Sequence, residues 1–250
     1  MYHLIANGMT IATTVDTDVP ALNDDIIAIQ NSHFVLSQPM QLIGAAAMGI
    51  LIDRARIASP TMRQIANPYV RSLIAAAVPG SNPNMWLLDH NPFTVPAFEE
   101  IQVLGTSTTG TTEKFTAFTW LTPGMEVMPI GNVIPLRFTS TTAAVANAWT
   151  TLSITFGDTL PTGLYAMVLS EMFSTNGQAH RWIISNQTWR PGLMSFTLTS
   201  QRHPYAIAKG QWGVMGRFRS NDLPRLQVMC NGADATHVGY LHVVRIGNIY

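Results

Sequence analysis

Charge is scarce in this chain. Lys, Arg, Asp and Glu make up 11% of its 250 residues, against about 25% in an ordinary soluble domain. Fourteen basic side chains balance fourteen acidic ones, so there is no cationic excess of the kind a nucleic-acid face needs. A net charge of zero also removes the self-repulsion that keeps copies apart. Cysteine is scarcer still: Cys230 stands alone, which excludes an intrachain disulfide and a Cys-based zinc cluster. Its place in an alternating run predicts a buried structural thiol. Long apolar runs are missing too. The longest, Leu42 to Ile52, is about half the roughly 20 residues a membrane-spanning helix needs. The start, Met1-Tyr2-His3-Leu4, places no basic segment before an apolar one, so a soluble protein without an N-terminal secretion signal is expected.

Reactive constellations are equally sparse. The seven histidines form no His-x-His, His-x-x-x-His or His-Glu-x-x-His spacing of the kind that ligates zinc. His237 and His242 are five apart, which puts them on opposite faces of a regular strand. Glutamates number five (Glu99, Glu100, Glu113, Glu126 and Glu171), and no pair is spaced for acid–base work. There is no nucleophile elbow, phosphate-binding loop or dinucleotide fingerprint. Asp16, Asp18, Asp24 and Asp25 form the densest acidic stretch, but they lack the spacing of a calcium loop and read as a solvated loop. Neither an enzyme nor a cofactor or metal site is expected. Arg54, Arg56, Arg63 and Arg71 cluster with only Asp53 to balance them. Guanidinium groups are enriched at interfaces, so these four are interface candidates, with Glu99 and Glu100 as their partners across an interdomain or intersubunit contact.

What the chain does have is strand signal, and a repeat. Phe115–Leu121, Thr151–Phe156, Leu193–Thr199 and Tyr240–Ile246 are short, alternating, and rich in β-branched and aromatic residues. Gly and Pro turns separate them, as in a sandwich or barrel. Ile101–Thr106 reads against Leu226–Asn231 at an offset of 125, and Phe115–Leu121 against Tyr240–Ile246 at the same offset. Pro39–Ile43 matches Pro161–Tyr165 at 122, while Arg56 matches Arg181 and Phe93 matches Phe218 at 125. Four segments in order at nearly constant offset indicate two copies of one β domain, residues 1–122 and 123–250. Gly44–Ile57 is Ala-rich and helical by propensity, but its start aligns with Leu164–Leu169 and is expected to be a strand. Short helical turns are expected at Arg63–Ile65 and Val70–Val78, bounded by Pro60, Pro68 and Pro79.

At this level the chain resembles the double jelly-roll major capsid proteins of tailless icosahedral viruses, including small phages. The resemblance spans the chain as two tandem β-sandwich units. Local stretches that look familiar are Ala55–Arg63, Asn91–Phe93 and Phe98–Ile101, then Trp189–Gly192, Gly210–Gly213, Gly216–Phe218 and Leu223–Leu226. The resemblance implies two tandem jelly rolls in an all-β chain, and a homotrimer whose six jelly rolls tile an icosahedral facet. It also implies a place in the virion, assembly in the host cytoplasm, and minor capsid proteins as partners. In many relatives an N-terminal arm reaches an internal membrane; here residues 1–20 carry no Lys or Arg, which argues against that attachment. Sequence-specific nucleic-acid binding is not expected. The leading alternative is a tandem carbohydrate-binding sandwich, with Trp86, Trp189 and Trp212 near turns as stacking platforms. A sandwich hydrolase with a dispersed site is the third.

Overall fold

The computed structural model describes residues 1–49, 52–65, 69–70, 84–87, 92–108, 110, 112–195 and 213–247. Contacts divide the chain into two units. One is Leu4–Pro123; the other is Gly124–Tyr250 together with Met1–His3.

The first unit runs β1 (His3–Ile11), β2 (Thr17–Val19), β3 (Ala28–Gln30), β4 (His33–Val35), β5 (Met40–Met48) and β6 (Ile52–Ala58). Helix α1 (Pro60–Ile65) follows, then β7 (Tyr69–Val70), β8 (Asn84–Leu87), β9 (Phe93–Val95), β10 (Glu100–Ser107) and β11 (Glu113–Thr122). Ser59 caps α1, its hydroxyl accepting from the Met62 amide at 3.2 Å. Pro60 fills the first helical position, where no backbone donor is needed. The second unit runs β12 (Val133–Ser140), β13 (Trp149–Leu152), β14 (Thr155–Phe156), β15 (Leu164–Ser174) and β16 (Gly177–Ile183). It continues with β17 (Gly192–Met194), β18 (Gly216–Arg219), β19 (Arg225–Cys230) and β20 (His237–Gly247).

Both units order their strands alike. In the first, one sheet runs β1-β11-β5-β8 and the other carries β4-β10-β6-β7, with β2 also on β10. In the second, the sheets are β12-β20-β15-β18 and β13-β19-β16-β17, with β14 added outside β12. Counting eight principal strands per unit in chain order, each unit stacks a 1-8-3-6 sheet with a 2-7-4-5 sheet. That is the jelly roll, so the chain is all-β and holds two of them in tandem.

The repeat reaches down to register. Ala117 lies opposite Ala47 in the first unit and His242 opposite Leu169 in the second, which are the offsets 125 and 122 read from the sequence. Gly44–Met48 is strand despite its alanines, because β11 and β8 supply a ladder on either side of it. Its side chains from Ala45 to Met48 are buried, where small residues fit and helix propensity is overridden. Phe34, Phe115, Phe118 and Trp120 fill the first core, and Phe138, Tyr165 and Trp182 the second. Phe138 meets Trp182 edge-on at 5.4 Å.

One strand expectation needs correction. Thr151–Phe156 is not one strand: β13 joins β19 while β14 joins β12, so the chain changes sheets at Ser153-Ile154. The strand expected at Leu193–Thr199 is described only as β17, which ends at Met194; residues 196–199 lie outside the described residues. Arg63–Ile65 belongs to α1. Val70 closes the short strand β7, and residues 71–78 lie outside the description.

Candidate functional site

The candidate arginines sort themselves along β6. Arg54 and Arg56 are two apart and therefore share a face. Asp16 reaches both, at 3.1 Å and 3.0 Å, and accepts a hydrogen bond from the Thr106 hydroxyl at 2.7 Å. The Thr106 bond does most to hold this carboxyl below its ordinary range; burial opposes it, and the two guanidinium groups reinforce it. Asp16 is thus a fixed anchor within its own unit rather than part of a solvated loop. The side chain of Arg63 and the whole of Arg71 lie outside the described residues.

Glu99 and Glu100 part company. Glu99 accepts from the amide of Thr61 at 3.2 Å and from its hydroxyl, tying the segment before β10 to the start of α1. Burial would raise its pKa, but the bonds from Thr61 and Ser59 lower it overall. Glu100 meets His33 Nδ1 at 3.0 Å, and Asp18 meets His33 Nε2 at 2.7 Å. Burial lowers the His33 pKa, yet the bonds and charges of Glu100 and Asp18 outweigh it and hold the imidazole above its ordinary value. A neutral ring has one N–H to donate, so two carboxylates favour the doubly protonated ring. Just before Glu99 the chain turns at Ala97-Phe98, against the backbone of Leu36. Phe98 donates its amide to the Leu36 carbonyl at 2.7 Å, stands at φ +64°, and is 82% exposed as a residue. A hollow of about 400 Å³ lies beside it, bounded by His33, Ser59, Pro60, Glu99 and Glu100.

The second unit buries three polar clusters. Arg181, matched to Arg56 by the repeat, is buried. Its guanidinium lies 4.2 Å from the Trp149 ring centre and its Nε donates to Gln227 Oε1 at 2.8 Å. His180 pairs with the hydroxyls of Ser170 at 2.8 Å and Ser195 at 3.2 Å, and Trp182 donates to Ser170 at 2.8 Å. Burial drives the His180 pKa down to about 3. A third cluster joins Ser174, Asp234 and His237: the Ser174 hydroxyl lies 2.5 Å from Asp234 and 3.1 Å from His237 Nδ1.

Serine, histidine and aspartate together invite a catalytic reading. The geometry opposes it here. In a nucleophilic triad the imidazole stands between hydroxyl and carboxylate, whereas here the hydroxyl stands between the other two. Ser170, Ser174, His180 and His237 are all at or below 2% exposure, so a substrate has no route to either hydroxyl. These groups cross-link strands and loops. No described group of three or more His, Cys, Asp or Glu side chains is placed to hold a metal ion. Sequence reading missed these clusters because their members lie far apart along the chain, 67 residues for His33 and Glu100 and 60 for Ser174 and Asp234.

Among the tryptophans, Trp120 and Trp182 are core. Trp189 is half-buried, with the His3 ring 5.9 Å away. The side chain of Trp86 and all of Trp212 lie outside the description. Cys230 is buried, and burial pushes its thiol up to about 12.

No family model matches the chain, and no curated protein matches it in sequence. Two solved structures resemble it. One is the atomic structure of Sulfolobus Turreted Icosahedral Virus, at 12% identity over 97% of this chain and 91% of that one, with a TM-score of 0.27. The other is the major capsid protein P2 of Bacteriophage PM2, at 10% identity over 99% and 98%, with a TM-score of 0.26. The jelly-roll assignment rests on strand order and register, independently of these scores.

Proposed function

We propose that this chain is the major structural subunit of an icosahedral viral capsid. One observation carries the reading: the same eight-strand order occurs twice in a single chain. A subunit with two similar sandwiches offers similar sides twice, so three copies present six jelly rolls and a near-hexagonal outline that can tile a facet. The step from jelly roll to capsid is an analogy at the level of fold; the doubling narrows it, because lectin and cupin jelly rolls need only one unit. Composition supports it as well. With 11% charged residues, and with Phe98, Val127 and Ile130 each more than four-fifths exposed, the surface suits burial against other copies better than free solvation. In this role the chain is not an enzyme. It resides in the virion, and its partners are first its own copies, then minor capsid proteins.

The test is the mass of the purified protein by light scattering across concentration. A trimer of about 82 kDa, three times 27.4 kDa, or shells built from it, is the expected result. A persistent 27.4 kDa monomer overturns the proposal, and a glycan-binding screen then tests the carbohydrate alternative.

A further inference from the structure

A projecting ring and a partly apolar hollow stand on different units. Phe98, in the first unit, is 82% exposed as a residue and has a left-handed backbone at φ +64°. A bulky non-glycine residue there is an outlier, of the kind that persists where the surroundings force it and that clusters at functional sites. Here the Leu36 carbonyl fixes the Phe98 amide on one side and Thr61 fixes the Glu99 carboxylate on the other. The result is a rigid knob, the form that aromatic anchors take at interfaces. In the second unit, Leu136, Ile154, Phe156, Leu160 and Leu223, interspersed with polar residues, line an open hollow of about 370 Å³.

Charge matches shape. Residues 4–123 carry nine carboxylates against five Lys and Arg side chains, and residues 124–250 carry five against nine. A chain that is neutral overall is therefore four charges negative in one unit and four positive in the other. Glu99 and Glu100 adjoin Phe98; at the hollow, exposed Arg137 and Arg219 adjoin Leu136 and Ser220, while Asp158 lines it and exposed Asp222 precedes Leu223.

We propose that copies of this chain join head to tail, with Phe98 of one copy seated in the Leu136–Leu160–Leu223 hollow of the next. The inference rests on the self-assembly proposed above and adds which surfaces meet. A two-fold contact of Phe98 with Phe98 would set Glu99 and Glu100 against their own copies. A head-to-tail contact instead sets the acidic unit against the basic one, and such contacts close rings.

Two variants of the full chain test it, Phe98→Ser and Leu223→Asp, both at exposed positions and both checked for an unchanged circular dichroism melt. Each is expected to weaken self-association roughly 10- to 100-fold, the range of an anchor residue. Each variant keeps one sound surface, so mixing the two yields a heterodimer of about 55 kDa, twice 27.4 kDa, that grows no further. Raising the salt from about 0.05 to 0.5 M weakens the wild-type assembly. Wild-type oligomers that neither variant weakens overturn the knob and hollow while leaving the capsid proposal intact. The knob and hollow fall equally if only one variant matters, if the mixture stays monomeric, or if salt strengthens assembly. A wild-type chain that stays monomeric throughout overturns both proposals.

Discussion

Arg56 and Arg181, paired by the sequence repeat, lie on equivalent strands but two residues apart in register: Arg56 stands opposite Leu104 and Arg181 opposite Gln227, the counterpart of Gln102. Arg56 keeps a side chain 23% exposed beside Asp16, whereas Arg181 is 1% exposed, against Trp149 and Gln227. Equivalent strands thus carry a partly exposed ion pair in one copy and a core contact in the other.

Their replacement by alanine therefore separates. Arg56→Ala costs about 1 kcal/mol or less, since partly exposed pairs contribute little and Asp16 retains Arg54 and Thr106. Arg181→Ala costs about 3–5 kcal/mol, because it empties a packed site and removes the buried donor to Gln227. Urea unfolding followed by circular dichroism measures both, and equal costs would contradict the assignment.

The His33 bridge makes a pH-dependent contribution. Its pKa is raised in the folded protein, so its stabilisation is fully present below the unfolded value of about 6.5 and fades as pH rises through the folded value. His33→Gln is expected to flatten the stability profile as pH rises above about 6.5. An NMR titration of the His33 ring reads the same shift directly, and a value at or below the ordinary one would remove the bridge from the account.

Asp234 acts at the other end of the scale. Burial would raise its pKa, but the amides of Asn176 and Thr236, the Ser174 hydroxyl and His237 together lower it. Its stabilisation is present above the unfolded value of about 3.9 and is lost as pH falls through the folded one. Asp234→Asn is expected to lower stability at neutral pH by about 1–3 kcal/mol and to shrink the further loss on acidification. Acid titrations of both proteins, followed by circular dichroism, decide it.

Cys230 supplies a simple probe of the second core. A buried thiol pushed up to about 12 carries almost no thiolate at neutral pH, and the thiolate is the reactive form. Ellman's reagent should label it very slowly in the native protein and at once in denaturant. Rapid native labelling would place the strand β19 ladder in an open state.

The fold was legible because duplication writes itself twice. Matches at offsets of 122 and 125 land on paired strands, Ala47 with Ala117 and Leu169 with His242, and alternation at Tyr240–Ile246 marks a strand one of whose faces is buried. The break at Ser153-Ile154 was not legible: the chain there keeps β-branched residues on both sides while passing from one sheet to the other, and a change of partner has no composition of its own. Asp16 misled for a related reason. Beside Asp18, Asp24 and Asp25 it looks like one more solvated carboxylate, and only the folding of β6 and β10 brings Arg54, Arg56 and Thr106 to it. The opposed reach of Glu99 to Thr61 and Glu100 to His33 agrees with adjacent residues facing apart, but no local signal named their partners.

The strand order also governs how such a chain can be made. In each unit the last strand enters the middle of its sheet, β11 between β1 and β5 and β20 between β12 and β15. Until that strand leaves the ribosome, its two neighbours flank an empty slot, and long-range pairing of this kind is slow and prone to aggregation. Synthesis therefore delivers the protein in two closures. The first becomes possible once Thr122 has emerged, while the second waits for residues 237–247.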